Sequence, residues 1–336
     1  MAVSSVKHHL ADHPDWARGA ARIFSADGGT AFERMSSALL DFWKAPEGKR
    51  LRARSTAGVR LVLRTDARRI ALALHFAGTA RPYHGLDLAV DGGEPRRIGP
   101  PDGRPQSWSE EIFTQASRRV RTLEIWLPHA SEVILDALEA EEGALLEAAP
   151  PPEKTWVAIG DSITQGMLAS SPARVYAAVA ARAMRWELRN LAVGGETMQE
   201  ALGRLCRPLG GDLATVAFGV NDYNQGMPIA EFARRARALL DGLLEGRPAF
   251  PVVLLTPFPW VGASAPANAA APLEEYRATL RALAPSYPSV RVLEGPALLP
   301  SDPALFADHV HPNDAGMKCL GERLARELPR LLREIH

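Results

Sequence analysis

The hydrophobic period of the chain changes at Pro150-Pro151-Pro152. Before that tripeptide, apolar residues recur at every second position. After it, short apolar runs alternate with stretches of helical period. Three prolines in a row make a stiff connector poor in backbone donors. The chain is therefore expected to fold as two domains, residues 1–148 and residues 153–336, and its 336 residues are enough for two cores.

From about residue 30 to residue 148 the pattern is that of strands. Val59, Leu61 and Leu63 alternate with Arg60 and Arg64, and Ile70, Leu72, Leu74 and Phe76 keep the same period. Leu123, Ile125 and Leu127 do so again, and "EVILDALEAE" continues the style. The segment "GLDLAVDGG" runs into Asp91-Gly92, a dipeptide suited to a tight hairpin turn. Short alternating strands without helical patterns between them predict an antiparallel β-sandwich.

Beyond the prolines, "TWVAIG", "WELRNLAV", "LATVAFGV", "PVVLLTPFPW" and "VRVLEG" read as strands, the third and fourth of them buried. Each is followed by a stretch of helical period, the last being "NDAGMKCLGERLARELPRLLREI", and Ser171-Pro172 is read as the opening of the first helix. Five strand–helix units predict a parallel sheet with helices on both faces. Sites in such sheets form at the carboxyl ends of the strands, where the strand order reverses.

Four small motifs fall at those ends: Gly160-Asp161-Ser162 after the first strand, "NLAVGGET" after the second, Gly219-Val220-Asn221-Asp222 after the third, and Asp308-His309-Val310-His311 before the last helix. A serine hydroxyl is a weak nucleophile until a base takes its proton. Histidine is the usual base, and a carboxylate fixes its tautomer. The spacing of Asp308 and His311 suits that contact in a turn. The oxyanion formed on a carbonyl needs preorganised donors. The Gly195 and Ser162 N–H groups and the Asn221 amide offer them.

Several residues in and near these motifs have other readings. Asp222 is read as an Asx-type acceptor that braces its loop. Asp308, His309 and His311 include metal-ligand types, but no second ligand cluster accompanies them, so His309 is read as a loop residue and no metal is expected. Trp260, after the fourth strand, is read as packing in the fold, with a sugar platform as the other reading. The basic run "RRARALL" is read as a solvated helix face.

Gly160-Asp161-Ser162, Gly195, Asn221 and Asp308-x-x-His311 stand in the order of the SGNH hydrolases, also called the GDSL esterase family, and the chain resembles that family over roughly its last 185 residues. The resemblance implies a flavodoxin-like three-layer α/β sandwich with a five-stranded parallel sheet. It implies Ser162 as nucleophile, His311 as base and Asp308 as its orienter. The oxyanion hole would come from the Ser162 and Gly195 N–H groups and the Asn221 side chain. Gly195 is chosen over Gly194 because it directly precedes Glu196-Thr197.

The segment "YHGLDLAVDGG" resembles the Gly-x-Asp-Leu-Tyr stretch of small β-sandwich (jelly-roll-like) domains that precede some SGNH domains, with Ala89 where tyrosine is usual. Such layouts imply an esterase for a small acyl ester, acetyl foremost, on a carbohydrate or glycosylated small molecule. The alternative is an acyltransferase moving an acyl group from a thioester to a sugar hydroxyl. The sandwich is expected to take part in carbohydrate or acceptor binding. No cofactor is expected.

Composition narrows the remaining classes. A formal net charge of zero gives no footprint for nucleic acid. The two cysteines, Cys206 and Cys319, have no metal-site or redox spacing and are read as free thiols in helices. No apolar run reaches the length of a membrane span, and none of secretory type opens the sequence, so a cytoplasmic protein without a membrane partner is expected. A binding module without chemistry is disfavoured because all three triad residue types are present.

Overall fold

The computed structural model describes residues 4–101, 103 and 106–335. Its contacts divide the chain into two units. The first takes in the chain up to Ser36, then Lys44–Pro151 and Ser171–Ala173. The second takes in Ser37–Trp43, Pro152–Ser170 and everything from Arg174 onward.

The first unit is built on two antiparallel sheets. One runs in the order Arg22–Ala26, Gly29–Glu33, Ser131–Glu141, Arg69–Thr79, Ser107–Thr114, with Ser5–His8 also paired to Ser131–Glu141. The other runs Leu146–Ala148, Arg60–Thr65, Arg121–Trp126, Leu86–Val90, Arg96–Ile98, with Ala17–Arg18 beside Arg60–Thr65. The period-2 residues meet between them. Leu61, Leu63, Leu123 and Ile125 of one sheet share a buried cluster with Leu72, Leu74, Val133 and Leu135 of the other.

The turn at Asp91-Gly92 forms as its sequence requires. Both residues have positive φ, 53° and 74°, and the Gly93 N–H donates to the Val90 carbonyl at 2.9 Å. Two positive φ values in succession match the twist of a hairpin.

Two helices interrupt the stretch expected to be all β. They are Ser37–Phe42 and Glu47–Arg54. The first lies with the second unit rather than with the strands on either side of it in sequence.

The second unit holds the parallel sheet. Its strands are Thr155–Gly160, Glu187–Asn190, Leu213–Ala217, Val252–Leu255 and Val290–Leu293, in the spatial order second, first, third, fourth, fifth. That is the flavodoxin-like order, with its switch point at the first strand. Helices Tyr176–Met184, Ile229–Leu244, Leu273–Leu283 and Asp314–Ile335 are the longer of its covering helices.

The helix expected to open at Ser171-Pro172 starts later. Pro172–Arg174 is a single 3-10 turn, Val175 is out of helical conformation, and the α-helix begins at Tyr176. The Ala173 N–H is held at 2.7 Å by the buried Asp87 carboxylate, so the chain there is drawn away from a helical path. Cys206 and Cys319 are free thiols in helices. Among the described residues no helix is long and apolar enough to cross a membrane.

Candidate active site

The first strand lies between the second and the third, so the residues beyond Gly160 emerge at the switch point. A side chain at Gly160 would have its Cβ 2.4 Å from Thr164 Oγ1 and 3.0 Å from the Ala217 carbonyl, so the close approach of these segments leaves no room for one. Asp161 then caps the short helix Ser162–Gln165, its Oδ1 accepting the Ile163 N–H at 3.0 Å. Ser162 opens this helix and its N–H is among those without an intrahelical partner.

His311 arrives from the loop before the last helix. Phe306 and Pro312 form an antiparallel bridge, and the Ala307 N–H donates to the His311 carbonyl at 2.8 Å. This closed loop sets Asp308 and His311 side by side. Asp308 Oδ1 accepts the backbone N–H groups of Val310 at 2.8 Å and His311 at 2.7 Å, and Oδ2 lies 2.8 Å from His311 Nδ1. Partial burial works to raise the Asp308 pKa, but the His311 and Val310 donors outweigh it and hold the carboxyl below its ordinary value. An ionised carboxylate only accepts, so Nδ1 carries the proton. Nε2 is then left to accept from the Ser162 hydroxyl, 2.9 Å away. Ser162 and the distant pair His311 and Asp308 thus form one continuous chain of hydrogen bonds.

The second motif is a tight turn. The Glu196 N–H donates to the Val193 carbonyl at 3.2 Å, with Gly195 at φ 74°. The Gly194 N–H is spent on Gln165 Oε1 at 2.7 Å. Among the described residues the Gly195 N–H has no acceptor. Asn221 sits in the first turn of the helix Val220–Asn224. Its Nδ2 donates to the Glu196 carbonyl at 2.8 Å, and the next acceptor, Asp161 Oδ2, is a long 3.4 Å away. An amide nitrogen carries two hydrogens, so one remains without a short partner.

Asp222 does not make a local Asx turn. Its Oδ1 reaches across to the Met198 N–H at 2.9 Å, and its Oδ2 is buried without a partner among the described residues. Burial pushes its pKa up to about 6 against the pull of its backbone donors and Arg235. Trp260 is half-buried. Its Nε1 donates to the Ser264 carbonyl at 2.9 Å, and its ring lies 6.0 Å from those of Tyr223 and His309. His309 is exposed, and its carbonyl accepts the Val261 N–H at 2.9 Å. In the run from Arg234, both Arg234 and Arg235 are ion-paired with Glu231, and Arg234 also with Glu200.

Two supports had no sequence signal. Gln165 fixes Gly194, and Trp43, from the N-terminal half, donates from Nε1 to Glu196 Oε2 at 2.7 Å.

Residues 158–319 match the model of the GDSL-like lipase/acylhydrolase family. This part of the chain is a GDSL-like lipase/acylhydrolase domain. Searched against curated proteins, the sequence finds no match. Solved structures similar to the GDSL domain and its N-terminal partner include a salicylyl-acyltransferase, SsfX3, from a tetracycline biosynthetic pathway. It is 25% identical, with 98% of this chain and 97% of that one covered, at a TM-score of 0.80. A family two carbohydrate esterase from Cellvibrio japonicus shares the fold at 16% identity, with 100% of each chain covered and a TM-score of 0.70. Another from Clostridium thermocellum, solved in complex with cellohexaose, does so at 17% identity, over 83% of this chain and 94% of that one, with a TM-score of 0.66. The GDSL domain makes the protein an SGNH/GDSL-type esterase or acyltransferase.

Proposed function

We propose that the protein is a serine esterase working through an acyl-enzyme on Ser162. The observation that carries this reading is the chain Ser162–His311–Asp308, with hydrogen bonds of 2.9 and 2.8 Å. Ser162 Oγ attacks the ester carbonyl as its proton passes to His311 Nε2, and Asp308 stabilises the imidazolium that results. The carbonyl oxygen, now negative, accepts from the Ser162 and Gly195 N–H groups and the Asn221 amide. The C–O bond to the alcohol breaks, and the alcohol leaves with the proton from His311. Water then gives its proton to His311 and attacks the acyl-serine, and the acid departs as Ser162 regains its hydrogen.

The substrate in this reading is a small acyl ester, acetyl foremost, on a carbohydrate or a glycosylated small molecule. Likeness in fold to family two carbohydrate esterases over both domains supports it. The N-terminal sandwich then contributes to binding the carbohydrate.

One finding favours a second reading. The chain is 25% identical to a salicylyl-acyltransferase over nearly the whole of both chains. In that reading a sugar hydroxyl, not water, attacks the acyl-serine. The two part on one experiment: the full-length protein is incubated with an acyl donor and candidate sugar acceptors, and products are followed by mass. Free acid with every acceptor supports the esterase. Acylated acceptor formed faster than acid establishes the transferase instead.

A further inference from the structure

One side chain of the catalytic unit comes from outside the GDSL domain and reaches the turn that carries Gly195. The helix Ser37–Phe42 and the residue after it, Trp43, belong to the second unit, where Leu39 and Trp43 are buried. Trp43 Nε1 donates to Glu196 Oε2 at 2.7 Å, across 153 positions of sequence. Glu196 is itself buried. Its other oxygen, Oε1, accepts the Thr197 N–H at 3.1 Å and Gln199 Nε2 at 3.0 Å.

A buried carboxylate is tolerated only with donors on its oxygens, and those charge-assisted bonds are strong and directional. Two of these donors, Thr197 and Gln199, are local, and the third, Trp43, ties Glu196 to a segment outside its own loop. The Glu196 backbone then acts on both candidate oxyanion donors. The Glu196 carbonyl accepts Asn221 Nδ2 at 2.8 Å, and the Glu196 N–H closes the turn in which Gly195 sits at positive φ. Donors to an oxyanion work over a narrow range of distance, so a small shift of this turn weakens two of them at once.

We propose that Trp43 is a positioning residue for acyl transfer: it fixes Glu196 from outside the GDSL domain and so aims the Gly195 N–H and the Asn221 amide at the oxyanion. This rests on the reading of those two groups as oxyanion donors. The catalytic unit is incomplete without residues 37–43.

The test uses the full-length chain. Trp43→Phe keeps an aromatic ring and deletes the donor. Glu196→Gln leaves Trp43 in place and turns one acceptor into an amide nitrogen, which cannot receive the indole N–H if the amide oxygen keeps Thr197 and Gln199. For each variant that keeps the wild-type circular dichroism spectrum, kcat for p-nitrophenyl acetate is expected to fall by about 10- to 100-fold, with KM within about twofold. Affinity for phenylboronic acid, which forms a tetrahedral adduct on a serine, should fall in parallel with kcat. A packing role alone would not move kcat and boronate affinity together at constant KM. Should Trp43→Phe not fold, Glu196→Gln decides. Folded variants with kcat and boronate affinity within twofold of wild type overturn the proposal. Ser162→Ala is assayed beside them: if it is inactive while they match wild type, only the role of Trp43 falls, whereas an active Ser162→Ala removes the serine reading itself.

Discussion

Asp308 holds His311 at two points, its Oδ2 against Nδ1 at 2.8 Å and its Oδ1 against the backbone N–H at 2.7 Å. The first contact selects the tautomer and the second fixes the residue that bears the ring. In Asp308→Asn, an amide N–H turned toward Nδ1 would drive the ring proton to Nε2, where it opposes the Ser162 hydroxyl. Turnover of p-nitrophenyl acetate by Asp308→Asn is expected to fall roughly 10²- to 10⁴-fold in kcat, with little change in KM. Steady-state kinetics check this, and a kcat within twofold of wild type would count against the assigned role.

The same carboxylate sets an acid limit. Its folded pKa lies below the unfolded value, so its contribution to stability is present above the unfolded pKa and is lost as pH falls through the folded one.

Asn221 Nδ2 donates to the Glu196 carbonyl at 2.8 Å and makes only a long contact of 3.4 Å with Asp161 Oδ2, and in the proposed mechanism its second hydrogen serves the developing charge. Asn221→Ala should therefore lower kcat by roughly 10²–10³-fold while raising KM far less, the pattern of a lost transition-state donor. Equal kcat in wild type and variant would reduce Asn221 to a brace for the turn at Gly195.

How much the sequence reveals depends on the range of the contacts involved. Three of the five parallel strands, Thr155–Gly160, Leu213–Ala217 and Val252–Leu255, announce themselves as nearly continuous apolar runs, and the sandwich strands as period-2 alternation, because burial on two faces or one leaves those patterns. The Asp91-Gly92 turn and the glycines at the strand ends are legible because few other residues accept their geometry. The helices Ser37–Phe42 and Glu47–Arg54 are not legible. The first is six residues long, too short to establish a period, and the second is mostly charged. Asp87 accepts the Ala173 N–H across 86 positions, and Glu196 accepts the Trp43 indole N–H across 153. No local pattern encodes contacts of that separation.

Asp222 gives a prediction about stability. Its carboxyl is pushed up to about 6 by burial, so between the unfolded value near 4 and about pH 6 the folded protein binds the extra proton. Stability contributed by this group thus falls as pH rises through that window and stays reduced above it. Asp222→Asn keeps an acceptor for the Met198 N–H and cannot ionise. Relative to wild type, the variant should gain on the order of 2 kcal/mol between pH 4 and pH 7. Thermal melts of both proteins at the two pH values measure it, and a difference independent of pH would refute it.

In the proposed reaction the acyl group is carried by Ser162. The full-length protein is mixed with p-nitrophenyl acetate, quenched in acid within the first turnover, digested and read by mass. One acetyl group is expected, on the peptide that contains Ser162, together with loss of both the adduct and the turnover in Ser162→Ala. Undiminished turnover by Ser162→Ala, with no acetyl on that peptide in the wild-type protein, would rule out Ser162 as the nucleophile.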